Sequence, residues 1–211
     1  MAATRQALHL VETLRFEPAV GLRRLPRHMA RLRSAAELMG FRFSNHRIGN
    51  LLQIAIGRLD DVYRVRVLLA RDGSASVSVD ALPLLSLPVP CRLAPYPSED
   101  TLTDNWMNWA GGPMLTGVLD TPVRETLWVD SDGHLRHGTC TSLFLKVGER
   151  YLTPRSGLEA PWTILQDELV ESGVAETADL TVDDLSAGEL YLGNSLHGLM
   201  PAVLVGDDLN P

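Results

Sequence analysis

Apolar residues recur along the first third of the chain with two different periods, and the switches between them mark its elements. Residues 7–16 mix Leu8, Leu10, Thr13 and Leu14 with polar neighbours, which predicts a strand. From Leu25 to Met39 the apolar positions are Met29, Leu32, Ala36 and Met39, one face of a helix that Gly40 closes. A second helix is predicted over residues 45–59. Tyr63, Val65, Val67 and Leu69 then alternate with polar positions that include Arg64 and Arg66, the two-residue period of a strand. Arg71-Asp72-Gly73 makes a turn, and residues 74–82 return.

The second half has a similar grammar. Residues 126–130 predict a strand, Ser131-Asp132-Gly133 a turn, and residues 134–144 a single longer strand. Residues 146–152 form another hairpin arm. A helix is expected over residues 162–172, ending at Gly173, and a short helix start near residues 180–185 with Thr181 or Asp183 as its cap. Residues 190–192 and 202–205 flank the turn Gly193-Asn194-Ser195-Leu196-His197-Gly198. No internal repeat is visible.

Composition sharpens this α+β reading. The 211 residues, 45% of them hydrophobic and 21% charged, suit a globular chain with a core of its own. Residues 1–105 carry 14 Arg against 10 Asp and Glu; residues 106–211 carry 5 basic against 16 acidic side chains. That break predicts two lobes, at residues 1–92 and 105–211, joined by a linker at residues 93–104 that overlaps a proline-rich stretch over 87–98. The net charge of −7 argues against a general affinity for nucleic-acid phosphates. The start lacks a secretory h-region, and the most apolar stretch, residues 81–91, is broken by Pro83, Pro88 and Pro90. The expectation is a cytoplasmic protein with no membrane contact. Two cysteines, Cys91 and Cys140, exclude a disulfide framework and a four-thiolate zinc site. Of the 19 basic residues 18 are arginines; the one lysine is Lys146.

Five blocks in order then resemble one family. They are Glu12-Thr13-Leu14-Arg15; Arg24-Leu25 with Arg27-His28-Met29-Ala30-Arg31-Leu32; Gly138-Thr139 with Thr141-Ser142 and Phe144; Leu152-Thr153-Pro154; and Gly193 to Pro201. Together they resemble the fold-type IV pyridoxal-phosphate enzymes, the class IV aminotransferases and aminodeoxychorismate lyases. The resemblance implies a small α/β lobe, a larger barrel-like lobe, a cofactor between them and a homodimer. It also implies a lysine that holds the cofactor as an imine, a carboxylate that keeps the pyridine nitrogen protonated, and an arginine with two helix-N-terminal turns around the phosphate.

Against that pattern this sequence departs at the reacting groups. The family's lysine position falls on Asn105 in one register and Trp106 in another, and neither forms an imine. The ring-facing Glu of the Glu-Gly-Thr motif is His137, and the first phosphate turn reads Pro161-Trp162-Thr163-Ile164. Arg31 and the turn Asn194-Ser195-Leu196 match the family's phosphate ligands, and Arg15 and Thr141 its substrate side. Arg31 also reads as an exposed arginine of an arginine-rich helix, and Ser195 as a helix cap. Trp106, Met107 and Trp109 read either as packing or as rings filling the former cofactor cleft. Counted along one strand from His137, Lys146 has the opposite parity and points away from it. His134 and His137 lie on opposite faces of that strand, so no shared metal is expected, and Cys140 reads as a buried structural thiol. No Gly-x-Ser-x-Gly elbow occurs.

The function expected is therefore that of a diverged member. It binds or transforms a small anionic metabolite in the interlobe cleft, with His137 as acid or base and no covalently held cofactor; noncovalent pyridoxal phosphate is compatible with this. A non-catalytic binding or dimerisation homologue is one alternative. An authentic lyase or aminotransferase using Lys146 is the other.

Overall fold

The computed structural model describes residues 9–96, 125–155 and 164–206. They divide into two compact units, one running to Pro83 and the other starting at Leu84.

The first unit is a four-stranded antiparallel sheet with two helices. Its strands are β1 (His9–Glu17), β2 (Gly21–Leu22), β3 (Tyr63–Ala70) and β4 (Ala75–Ala81), in the order β2-β1-β3-β4. Burial alternates cleanly along β1 and β3, so each has one face on the core. Helix α1 (Leu25–Met39) buries His28, Leu32 and Ala36, four residues apart, and ends where Gly40 takes a left-handed φ of 69°. Helix α2 (Asn45–Ile56) starts where the Ser44 Oγ accepts a hydrogen bond from the Arg47 N–H at 3.3 Å. Leu10, Leu14 and Phe16 of β1, Val65, Val67 and Leu69 of β3, and Leu32, Ala36, Ile48 and Leu52 of the helices make one core.

The second unit holds β5 (Val89–Pro95), β6 (Glu125–Val129), β7 (Leu135–Gly138), β8 (Ser142–Val147), β9 (Arg150–Pro154), β10 (Ala175–Ala178), β11 (Glu189–Asn194) and β12 (Gly198–Leu204). They form one mixed sheet in the order β10-β9-β8-β11-β12-β5-β6-β7. Helix α3 (Ile164–Glu171) lies within the expected helix, whose first residues fall outside the described ones. The inward face carries Val89, Cys91, Leu93, Leu127, Leu135, Leu143, Leu145, Leu192 and Met200, a second core separate from the first. Among the described residues no helix is long and apolar enough to cross a membrane.

Three expectations need correction. The proline-rich stretch over 87–98 contains β5, which pairs in parallel with both β6 and β12 and so belongs to the second sheet, while residues 97–104 of the expected linker lie outside the described ones. Prolines did not prevent this, because Pro88 lies before the strand and Pro90 and Pro95 lack only their own N–H. The single strand predicted over 134–144 is two, β7 and β8, interrupted by a tight connection at Thr139-Cys140-Thr141. The short helix near residue 183 is a 3-10 turn over Asp183–Ala187 that follows Val182. Its polar fastening runs backwards, the Asp184 carboxylate accepting from both the N–H and the hydroxyl of Thr181 at 2.8 Å.

Candidate functional site

In the first unit, a carboxylate stands in the apolar row of β1. Glu12 lies between Leu10 and Leu14 on the core face and is only 4% exposed. Opposite it, α1 presents His28 and Arg31, one helical turn apart. The Arg31 guanidinium donates two bonds to Glu12, from Nε to Oε1 at 2.8 Å and from Nη2 to Oε2 at 2.6 Å. His28 Nδ1 is 2.6 Å from Oε2, and since a carboxylate only accepts, Nδ1 carries the proton. His28 is buried, and its Nε2 has no hydrogen-bond partner among the described residues. Burial alone would raise the Glu12 carboxyl. The charge of Arg31 and the hydrogen bonds from His28 and Arg31 more than offset this and hold it below the ordinary carboxylate range.

The opposite face of this sheet is polar and basic. Arg15 of β1 pairs with Arg64 of β3, which pairs with Asp80 of β4; the next row is Thr13, Arg66 and Ser78. Arg15 Nε donates to Glu17 Oε1 at 2.6 Å, and Arg64 Nη2 to Asp80 Oδ2 at 3.3 Å. The Nε of Arg66 is buried and has no hydrogen-bond partner among the described residues. The sequence reading named Arg15 here and passed over Arg66, although its place in the polar parity of β3 was visible.

In the second unit the densest polar cluster forms around Glu125, a residue the sequence reading left out by starting its strand one position later. Glu125 is 6% exposed. Its Oε1 accepts from the N–H groups of Thr126 at 3.0 Å and Thr139 at 2.6 Å, and its Oε2 from Cys140 N–H at 3.1 Å and the Thr141 hydroxyl at 2.9 Å. This buried carboxylate thus gathers the connection between β7 and β8. Burial pushes its carboxyl up, with the hydrogen bonds from Thr141, Cys140, Thr139 and Thr126 offsetting part of the rise. Burial, with Glu125 as a second cause, pushes the thiols of Cys140 and Cys91 up to about 12. Both are therefore protonated thiols, and a cysteine nucleophile has no support.

His137 lies in β7 on the same face as Leu135. Its Nδ1 is 2.8 Å from the Gly138 carbonyl, which can only accept, so Nδ1 carries a proton. The Tyr96 ring meets His137 edge-on at 6.0 Å between centroids. Thr141, expected to face substrate beside His137, lies in the β7–β8 connection and gives its hydroxyl to Glu125. The turn at Asn194-Ser195-Leu196 is not at a helix N-terminus; it joins the antiparallel strands β11 and β12. Its Leu196 and His197 N–H groups both point to Asn194 Oδ1, at 3.1 and 2.9 Å. The Leu196 N–H is thus turned inward.

Because β7 and β8 are separate strands, parity cannot be counted from His137 to Lys146, and the core supplies the reference instead. His137 shares the face of Leu135, a core residue, whereas Lys146 alternates with Leu143 and Leu145, residues of that same core. Lys146 is therefore on the other face, paired with Glu189 and Tyr151. The two residues occupy opposite sides of the sheet. Asn105 and Trp106, the positions matched to the family's lysine, and Pro161-Trp162-Thr163 lie outside the described residues. Asp130, Asp132 and His134 bring ligand atoms within 4.8 Å of one another, but Asp130 already accepts from the backbone of Asp132 and His134 and from Arg136.

The chain is similar to known proteins over nearly its whole length. The family model for class IV amino-transferases matches residues 114–205. A provisionally named amino-acid aminotransferase from Mesorhizobium loti is 32% identical, with a TM-score of 0.75 over 94% of this chain and 100% of that one. A provisionally named 4-amino-4-deoxychorismate lyase shares the fold at 21% identity, with a TM-score of 0.71 over 100% of this chain and 92% of that one. So does the PLP-bound form of a hypothetical aminotransferase from Mycobacterium tuberculosis, at 17% identity and a TM-score of 0.72, covering 98% and 87%. No curated protein sequence matches the chain significantly. Two sheets with these strand orders and a relative 32% identical throughout its own length lead to one conclusion: the chain belongs to the class IV aminotransferase family.

Proposed function

We propose that this family member binds a small anionic metabolite and holds neither it nor pyridoxal phosphate as an imine. The observation that carries the reading is the placement of Lys146, the one lysine of the sequence, on the sheet face opposite His137. Covalently held pyridoxal phosphate does not fit these residues. An arginine cannot replace the lysine, because its guanidinium stays protonated and is no nucleophile. An imidazole in place of the family's ring-facing carboxylate carries no negative charge in either protonation state to hold a protonated pyridine nitrogen.

The remaining groups suit an anion and a proton transfer. On the polar face of the first unit's sheet Arg15 and Arg66 supply positive charge, and the buried Nε–H of Arg66, without a partner among the described residues, favours a ligand that accepts from it; Arg31 stands on the other side of that sheet, against Glu12. His137, whose Nδ1 donates to the Gly138 carbonyl, is the imidazole proposed to exchange the proton. The ligand class is a small molecule carrying a carboxylate or phosphate.

The test is reduction with borohydride after adding one equivalent of pyridoxal phosphate, followed by peptide mapping. No adduct on Lys146 is expected. A stoichiometric adduct there restores the aminotransferase reading. Titration with inorganic phosphate then addresses the anion site, and Arg66→Gln is expected to weaken binding.

A further inference from the structure

We propose that β4 is an interaction edge: a second copy of this chain adds its own β4 there, antiparallel and related by a two-fold axis at Ser78, so that the two sheets join into one.

β4 is the last strand in the order β2-β1-β3-β4, and among the described residues no strand pairs with its outer side. The direction of its backbone groups follows from the turn before it. The Ala70 N–H donates to the Ser74 carbonyl at 2.8 Å, so Ser74, Ser76, Ser78 and Asp80 turn their N–H and C=O groups toward β3. Ala75, Val77, Val79 and Ala81 turn theirs outward. The usual protections of such an edge are missing. β4 runs for 7 residues in unbroken register with β3, without a bulge, a proline or a lysine, whereas the opposite edge of the sheet is β2, of 2 residues. Its one charge, Asp80, is held by Arg64 at 3.3 Å.

The strand itself identifies the occupant. Ala75-Ser76-Val77-Ser78-Val79-Asp80-Ala81 reads nearly the same in both directions about Ser78, with Asp80 standing where a second Ser would complete the symmetry. A two-fold axis there sets Val77 against Val79 of the second copy, Ala75 against Ala81, and Ser76 against Asp80. The hydrogen-bond phase agrees. Ser78 meets its equivalent in a pair without hydrogen bonds, and the residues one and three positions away are those whose groups face outward. Each such pair exchanges two bonds, about eight across the join. Val77 and Val79, half-buried at the margin of the first core, carry its apolar face across, and no two like charges stand opposite. An unrelated extended peptide would meet the same backbone without this symmetry.

The experiment is sedimentation of the whole chain over a range of concentrations. The native chain is expected to show a concentration-dependent doubling of mass. Val77→Pro removes one outward N–H and leaves the ladder to β3 intact. It costs one bond in each direction, at about tenfold each, so association should weaken about a hundredfold. Should that variant not fold, Ser78→Glu is held to the same criterion: it sets two carboxylates face to face on the axis, with Arg66 beside each on β3. On oxidation, Ser78→Cys should form a disulfide between copies, because the Cα atoms of such a pair lie about 4.5 Å apart. Ser76→Cys should not, since its two equivalents stand about 13 Å apart. The proposal is overturned by a native chain that does not associate, by unchanged association in either folded variant, or by equal crosslinking of the two cysteine variants.

Discussion

Deleting the Glu125 carboxylate by Glu125→Ala removes the acceptor for three backbone N–H groups and one hydroxyl, those of Thr126, Thr139, Cys140 and Thr141. One orphaned buried donor costs about 1–3 kcal/mol, and breaking a buried charged network by removing a member costs about 3–5 kcal/mol. The alanine variant should therefore lose about 3–5 kcal/mol, enough to compromise a domain of ordinary stability. Glu125→Gln behaves differently. Its carbonyl oxygen still accepts from Thr126 and Thr139, and its NH2 donates to the Thr141 oxygen, which can accept as well as donate. The Cys140 N–H loses its bond to the second oxygen but still lies 3.3 Å from Oε1, and the buried charge is gone, so about 1 kcal/mol or less separates it from the native chain. Because burial raises the Glu125 carboxyl, its contribution to stability is complete below the ordinary value of 4.5 and is lost as pH rises through the raised folded value. The native chain should then lose stability relative to Glu125→Gln as pH climbs across that window. Glu12, shifted the opposite way, is common to both and cancels from the difference. Urea unfolding followed by circular dichroism at a series of pH values measures all three proteins. An alanine variant within about 1 kcal/mol of native, or a pH-independent gap between native and glutamine, would refute the reasoning.

Other outcomes are equally definite. A Cβ added at Gly138 would meet Thr141 Oγ1 at 2.7 Å and Glu125 Cδ at 2.9 Å, atoms that hold each other in place. Gly138→Ala should cost about 1–3 kcal/mol in thermal unfolding, and a cost near zero would mean the β7–β8 connection yields freely. Cys91 and Cys140, with thiols pushed up to about 12, should react with a disulfide reagent at pH 8 at least about a hundredfold more slowly than free cysteine, and fully once unfolded. Rapid modification of either in the native chain would contradict the burial and charge argument.

Much of the first unit was legible because its signals are local. Gly40 ends α1 within a residue of its apolar stripe, Ser44 precedes α2, and β3 and β4 flank an Asp-Gly turn. Local signals also misled. Residues 134–144 read as one strand because the two-residue period has no mark for a break, and the break falls where Glu125 accepts from Thr139, Cys140 and Thr141. Glu12 could have been flagged, since it occupies the apolar parity between Leu10 and Leu14. Its partners could not, because β1 and α1 meet only when the first core closes.

By itself the sequence determined the class of fold and the scarcity of lysine, the first through periodicity and ordered blocks, the second by composition. Tertiary structure decided which face Lys146 occupies, which ring nitrogen of His28 and His137 carries the proton, and which two glutamates are buried with opposite shifts. The physical reason is range: a helix or strand is set by neighbours within a turn or two. Apart from Thr126 beside Glu125, the two buried carboxylates take their partners from residues 14 to 19 positions away, which come within hydrogen-bond distance only in the folded chain.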